Sequence, residues 1–146
     1  MIVYLDSSVL ARAYLTDEDG HDQAVRLLED SDTALITGTW TRVEVTGALV
    51  RAARAGRADE RQLLDLLDAD IGDGGPVTVV AAPQADVEDE ALRLVRAHGI
   101  RAMEAWHLAV ASLTLPTLTE SGEEPGFASR ERAQAAAAKH LGFTPV

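Results

Sequence analysis

Short apolar runs alternate with amphipathic periods along the whole chain. Ile2-Val3-Tyr4-Leu5 is a β-rich run that stops at Asp6-Ser7-Ser8, and Ser8 to Leu15 reads as a helix. Ala24, Leu27 and Leu28 mark one face of a second helix, and Ala34-Leu35-Ile36-Thr37 marks a second strand. Trp40 to Ala55 predicts a long helix stopped by Gly56. Asp59 is placed to cap the next helix, with Leu63, Leu66, Leu67 and Ile71 as its apolar stripe. Gly72, Gly74, Gly75 and Pro76 then open a strand over Val77 to Ala81. Val87, Ala91, Leu94 and Val95 define another amphipathic helix, ending at Gly99. Arg101 to Leu115 carries Met103, Trp106, Leu108, Val110 and Leu113 around most of its circumference, the pattern of a buried helix. Pro116 to Pro125 reads as a loop with acidic tips. Gly126 to Ser129 reads as a short strand, Arg130 to Leu141 as a final helix, and Phe143 to Val146 as an edge strand. Strands alternating with helices imply a mainly parallel α/β sheet covered on both faces.

Length and composition narrow this further. The 146 residues suit a single domain over 1–146, with no internal repeat, linker or low-complexity tract. There is no cysteine, which excludes disulfides and Cys-ligated zinc or iron–sulfur sites. No apolar run approaches the ~20 residues needed to span a bilayer. Met1 to Ser8 lacks a basic segment and includes Asp6, unlike a secretory signal, so a cytoplasmic protein is expected. Thirteen Lys+Arg against 24 Asp+Glu give a net charge of −11. That balance argues against tight nucleic-acid binding driven by counterion release, though not against an enzyme that contacts nucleic acid through a cation.

Four acids fall in suggestive places. Ligands of open parallel sheets bind beyond the carboxyl ends of the strands, and Asp6 follows the first strand. Asp6-Ser7-Ser8 is equally a run of helix-capping residues. Glu44 closes Thr41-Arg42-Val43-Glu44, which reads alternatively as a capping box with Trp40 and Val45 as a staple. Glu104 lies within the buried helix, where a carboxylate must be paired, protonated or metal-bound. Its structural alternative is an i,i+3 contact with His107, and His107 itself reads as a packed core residue. Glu131 follows the fourth strand, where an acid also complements a helix dipole. If the sheet gathers these ends, four carboxylates share one pocket and repel unless a cation neutralises them. Hard oxygen donors with no His or Cys alongside suit Mg²⁺ or Mn²⁺.

The segments Ile2-Val3-Tyr4-Leu5-Asp6-Ser7-Ser8-Val9-Leu10, Arg42-Val43-Glu44-Val45, Arg101 to Ala109 and Phe127 to Arg132 occur in this order along essentially the whole chain. In that order and context the chain resembles PIN-domain ribonucleases, specifically the VapC-type toxins of bacterial toxin–antitoxin pairs. The resemblance implies a three-layer α/β/α sandwich and a metal-dependent endoribonuclease. It implies Asp6, Glu44, Glu104 and Glu131 as catalytic residues and ligands of Mg²⁺ or Mn²⁺, with Asp6 and Glu104 direct ligands. Ser8, Arg51 and Arg130 are expected to bind RNA, with Arg54, Arg57 and Arg132 nearby. It also implies a cognate antitoxin, which often inserts an Arg or Lys near the acids, and pairing as a homodimer. Val9, Leu10 and Tyr14 are open to either an interface or the core.

The third and fourth acids are typically aspartates in that family and are glutamates here, Glu104 and Glu131. The longer arm fits either a retuned metal site or a PIN-like protein-binding module that has lost catalysis. A receiver-like phosphoacceptor at Asp6 ranks last, because the sole lysine, Lys139, lies in the last helix and no acidic pair adjoins the first strand.

Overall fold

A computed structural model describes all of residues 1–146. The elements in chain order are β1 (Ile2–Leu5), α1 (Ser7–Tyr14), α2 (His21–Glu29), β2 (Ala34–Gly38), α3 (Thr39–Arg54), α4 (Glu60–Asp70), β3 (Val77–Val80), α5 (Gln84–His98), α6 (Ala102–Leu118), β4 (Gly126–Ala128), α7 (Arg132–His140) and β5 (Thr144–Pro145). The strands form one sheet in the order β3-β2-β1-β4-β5, and every neighbouring pair is parallel. The expected α/β/α sandwich is therefore present.

Side chains of a strand point alternately to its two faces, and β1 divides the molecule on this rule. Ile2 and Tyr4 enter one core with Ile36, Phe127 and the apolar faces of α5, α6 and α7. Val3 and Leu5 enter the other with Leu35, Val77 and residues of α1 to α4. Because both faces are covered, β1 is apolar without interruption. Val9, Leu10 and Tyr14 are buried in the second core, so they are core and not interface. Gly99 ends α5 at φ 65, a left-handed conformation that glycine adopts without strain.

Several boundaries differ from the sequence pattern. Leu66 faces solvent while Leu63 and Leu67 are buried, so the stripe of α4 is narrower than its composition suggests. Pro116 does not start the loop; α6 continues through it to Leu118. Proline costs about 3 kcal/mol in a helix interior, but here it falls in the last turn. There the hydroxyls of Thr114, Thr117 and Thr119 donate to the carbonyls of Val110, Thr114 and Leu115. The last helix starts at Arg132, with Glu131 as its cap residue. The edge strand is only Thr144–Pro145. No helix is long and apolar enough to cross a membrane.

Candidate acidic cleft

Strand order reverses at β1, with β2 leading one way and β4 the other. Such a switch point opens a crevice beyond the strand ends. Leu5 pairs with Ala128 in register, and the Asp6 amide donates to the Ala128 carbonyl at 3.0 Å. This places the segments after β1 and β4 side by side. From the opposite layers, α3 and α6 meet over the same edge. The result is a cleft of about 640 Å³ whose walls include Asp6, Glu44, Glu104 and Glu131. All four predicted acids are thus brought together.

Asp6 is both a helix cap and a cleft residue. Its Oδ2 accepts from the Ser8 amide at 3.1 Å and the Ser8 hydroxyl at 2.6 Å. Its Oδ1 faces the amide of Gln134 at 3.3 Å. Ser8 Oγ also accepts from the Arg130 amide at 3.1 Å, so its donor is committed to holding Asp6. Gln134 is fully buried, donates also to the Glu104 carbonyl at 3.1 Å, and accepts from Ser129 at 2.6 Å. It locks three segments of the site together.

The capping box read at Thr41 to Glu44 does not form. The helix begins three residues earlier, with Gly38 rather than Thr41 as its cap, and Thr41 instead bonds Thr37 inside the core at 2.7 Å. Glu44 is released to the cleft, where its Oε1 accepts from His107 Nε2 at 2.5 Å. Burial, with the charge of Asp6 adding to it, pushes the Tyr4 phenol well above its ordinary range. The Glu44 carboxylate accepts from Nε2, so the un-ionised Tyr4 hydroxyl donates to His107 Nδ1 at 2.9 Å. With Nδ1 accepting, the ring carries its proton on Nε2, toward Glu44 and 3.7 Å from Asp6 Oδ1. His107 is buried as expected, yet it bonds one acid and lies beside another. Gly38 makes room for this chain: a Cβ there would lie 2.6 Å from the Tyr4 hydroxyl and 2.8 Å from Trp106.

The expected Glu104–His107 contact is absent as well, because the imidazole is taken by Tyr4 and Glu44. Glu104 pairs backwards with Arg101. Its Oε2 accepts from the Arg101 amide at 3.0 Å and its Oε1 from Arg101 Nε at 2.7 Å, a capping geometry at the start of α6. The same guanidinium reaches Glu131 Oε2 at 3.0 Å. Hydrogen bonding to Glu104, then the charges of Glu104 and Glu131, raise the Arg101 pKa. Arg101 is exposed and is the cation now neutralising half the acid set.

Arg51 lines the cleft, but the Arg130 side chain does not; its Nε is buried near Gly20. Arg57 is held by Asp17 and Glu18, and Lys139 does not line the cleft. Arg101, His107 and Gln134 are the site residues that sequence reasoning missed or underrated. The Arg101-x-x-Glu104 spacing was a usable signal, because i,i+3 charges face each other on a helix. Gln134 carried none beyond being polar in an alanine-rich helix.

The donor chemistry fits a hard divalent cation, since four carboxylates of different segments line one cleft. In the arrangement described, no three acid or imidazole groups converge on one point. Arg101 instead holds Glu104 at 2.6 Å and Glu131 at 3.0 Å in ion pairs.

Comparison with known proteins agrees with this architecture. The PIN domain family model matches residues 3–115. Ribonuclease VapC45 from Mycobacterium tuberculosis (strain CDC 1551 / Oshkosh) is 36% identical over 110 residues, covering 75% of this chain and 74% of the relative. The chain belongs to the PIN-domain family, among relatives of VapC type. Two solved structures share the fold. PAE2754 from Pyrobaculum aerophilum has a TM-score of 0.63 at 21% identity, covering 100% of this chain and 90% of that one. VapBC2 from Rickettsia felis, bound to a DNA fragment from their promoter, has a TM-score of 0.63 at 10% identity, covering 100% and 98%.

Proposed function

We propose that the protein is a divalent-metal-dependent endoribonuclease, the toxin of a toxin–antitoxin pair acting in the cytoplasm. The observation that carries this reading is the meeting of Asp6, Glu44, Glu104 and Glu131 in one cleft at the switch point of the sheet. The ribonuclease name of the 36% identical relative supports it. Asp6 and Glu104 are assigned as direct ligands of Mg²⁺ or Mn²⁺, and Glu44 and Glu131 as groups that complete the site or orient water. A bound divalent cation supplies a water of lowered pKa and offsets charge on the phosphoryl oxygens.

The chain's own residues do the rest. Ser8 and Gln134 fix the two oxygens of Asp6. His107, oriented by Tyr4, fixes one oxygen of Glu44 and leaves the other toward the cleft. Arg101, once displaced from Glu104 and Glu131, is an exposed cation at the cleft mouth that can pair with an RNA phosphate, as can Arg51. The VapBC2 neighbour supports a partner antitoxin for this chain, and pairing of two copies belongs to the same reading.

A non-catalytic PIN-like module is favoured by one observation, the Arg101 bridge that already neutralises Glu104 and Glu131. RNA cleavage by purified protein separates the two. With Mg²⁺ or Mn²⁺ the endoribonuclease cuts structured RNA internally and stops in EDTA. No metal-dependent cleavage of total tRNA or rRNA would favour the binding module.

A further inference from the structure

A second cavity, of about 180 Å³, lies beside the cleft beyond the carboxyl ends of β2 and β3. Trp40 and Trp106 form part of its wall, with Thr39, Ala82, Gln84 and Val87, and no residue lining it is ionised. Trp40 and Trp106 are the only tryptophans in the chain. Their rings meet edge to face, centroids 6.4 Å apart, and Trp40 is 50% exposed. An aromatic ring this open, at the rim of a cavity rather than in a core, is a surface for another flat group.

The cavity and the acid cleft share no lining residue, but α3 and α6 contribute residues to both. Trp40 precedes Glu44 by four residues on α3, about 6 Å along the axis. Trp106 packs against His107 at 5.4 Å, and His107 bonds Glu44. A nucleic-acid strand with a phosphate at the acids therefore has the base of a neighbouring nucleotide within reach of the tryptophans. The charge balance points the same way. A chain of net charge −11 gains little affinity from counterion release. Base stacking on aromatic rings is independent of charge and contributes about 1–3 kcal/mol per base. Gln84, whose Nε2 donates to Glu88 at 2.8 Å, and Thr39 add polar groups for a base edge.

We propose that the Trp40–Trp106 cavity is a nucleobase subsite, stacking one base of the RNA strand next to the phosphate at the acid cleft. It deepens the ribonuclease reading and rests on it for its biological role. Because both tryptophans line the cavity, their two indole N–H resonances report on it directly, without metal and without catalysis. Titration with adenosine, guanosine, cytidine and uridine in EDTA shifts both signals saturably for at least one nucleoside. The shift of Trp106 is lost or much weakened in Trp40→Leu, which alters a half-exposed ring and leaves the cores intact. In the metal-loaded enzyme Trp40→Leu raises KM for RNA by about fivefold or more, beyond any fall in kcat.

If no nucleoside moves either indole signal, and Trp40→Leu cleaves with the wild-type KM, the subsite is overturned and the ribonuclease reading stands. If Trp40→Leu instead turns a sedimenting dimer into monomers, this face joins two copies of the chain and the subsite is likewise overturned. If the wild type never cleaves RNA with metal, the ribonuclease reading fails, and the nucleoside titration still decides whether the cavity binds bases.

Discussion

Asp6→Asn lowers RNA cleavage by at least about 10²–10³-fold, the usual effect of deleting one charge-stabilising group from an active site. The fold survives because asparagine caps helices about as well as aspartate. The amide oxygen can still accept from the Ser8 amide and hydroxyl as Asp6 Oδ2 does. What is lost is the negative charge, together with the acceptor that faces Gln134 and the cleft. Circular dichroism and melting in EDTA check the first half, and cleavage rates at saturating Mn²⁺ check the second. A variant that melts like the wild type and cleaves at its rate would remove Asp6 from the mechanism. A variant that fails to fold would reduce Asp6 to a cap.

Glu104→Asp, which keeps the charge but shortens the side chain by one methylene, weakens metal binding. The change draws the carboxylate back by about 1.5 Å, one C–C bond, and metal sites tolerate about 0.2 Å of error. Glu104→Gln weakens binding further, because it removes the charge. Neither disturbs folding much. A glutamine at this position still accepts from the Arg101 amide, as capping boxes with Gln do. Glu104 is buried, but its partner guanidinium is 74% exposed and stays hydrated when the glutamate charge is removed. Calorimetric Mn²⁺ titration gives the order wild type, then Asp, then Gln. Equal affinity in all three would limit Glu104 to its capping role and favour the non-catalytic module.

The elements most legible in the sequence were those with a single physical cause. β1 is an unbroken apolar run because helices cover both its faces. α6 buries Leu108, Val110 and Leu115 in a core but leaves Met103 and Leu113 exposed, so its apolar circumference overstates its burial; Gly99 stops α5 because the backbone turns left-handed there. The four acids were legible as candidates because three follow strand ends and one sits on a buried helix. Their local alternatives could be judged only in three dimensions. Thr41 to Glu44 has the spacing of a capping box, but the helix starts at Thr39 because Gly38 ends β2 against Tyr4 and Trp106. His107 and Glu104 have the spacing of a pair, but Tyr4 and Glu44, distant in sequence, claim the imidazole. Ser8 to Arg130, Gln134 to Asp6 and Arg101 to Glu131 are likewise contacts across many residues. Periodicity and local spacing carry no trace of them, so the shell that orients the acids was unreadable while the acids themselves were not.

The proposed ribonuclease function rests on binding of a divalent cation by the folded cleft through these acids. Thermal unfolding of the wild type and Asp6→Asn in Mn²⁺, Mg²⁺ and EDTA tests it most directly. A ligand bound only by the folded state adds about 2.7 kcal/mol at a hundred times its Kd. For a chain of this size that raises the wild-type Tm by roughly 5–10 °C. Such a rise in Mn²⁺ or Mg²⁺ over EDTA is expected for the wild type, and little or none for Asp6→Asn. Identical melting of the wild type in all three solutions, at metal concentrations well above any physiological level, would contradict it.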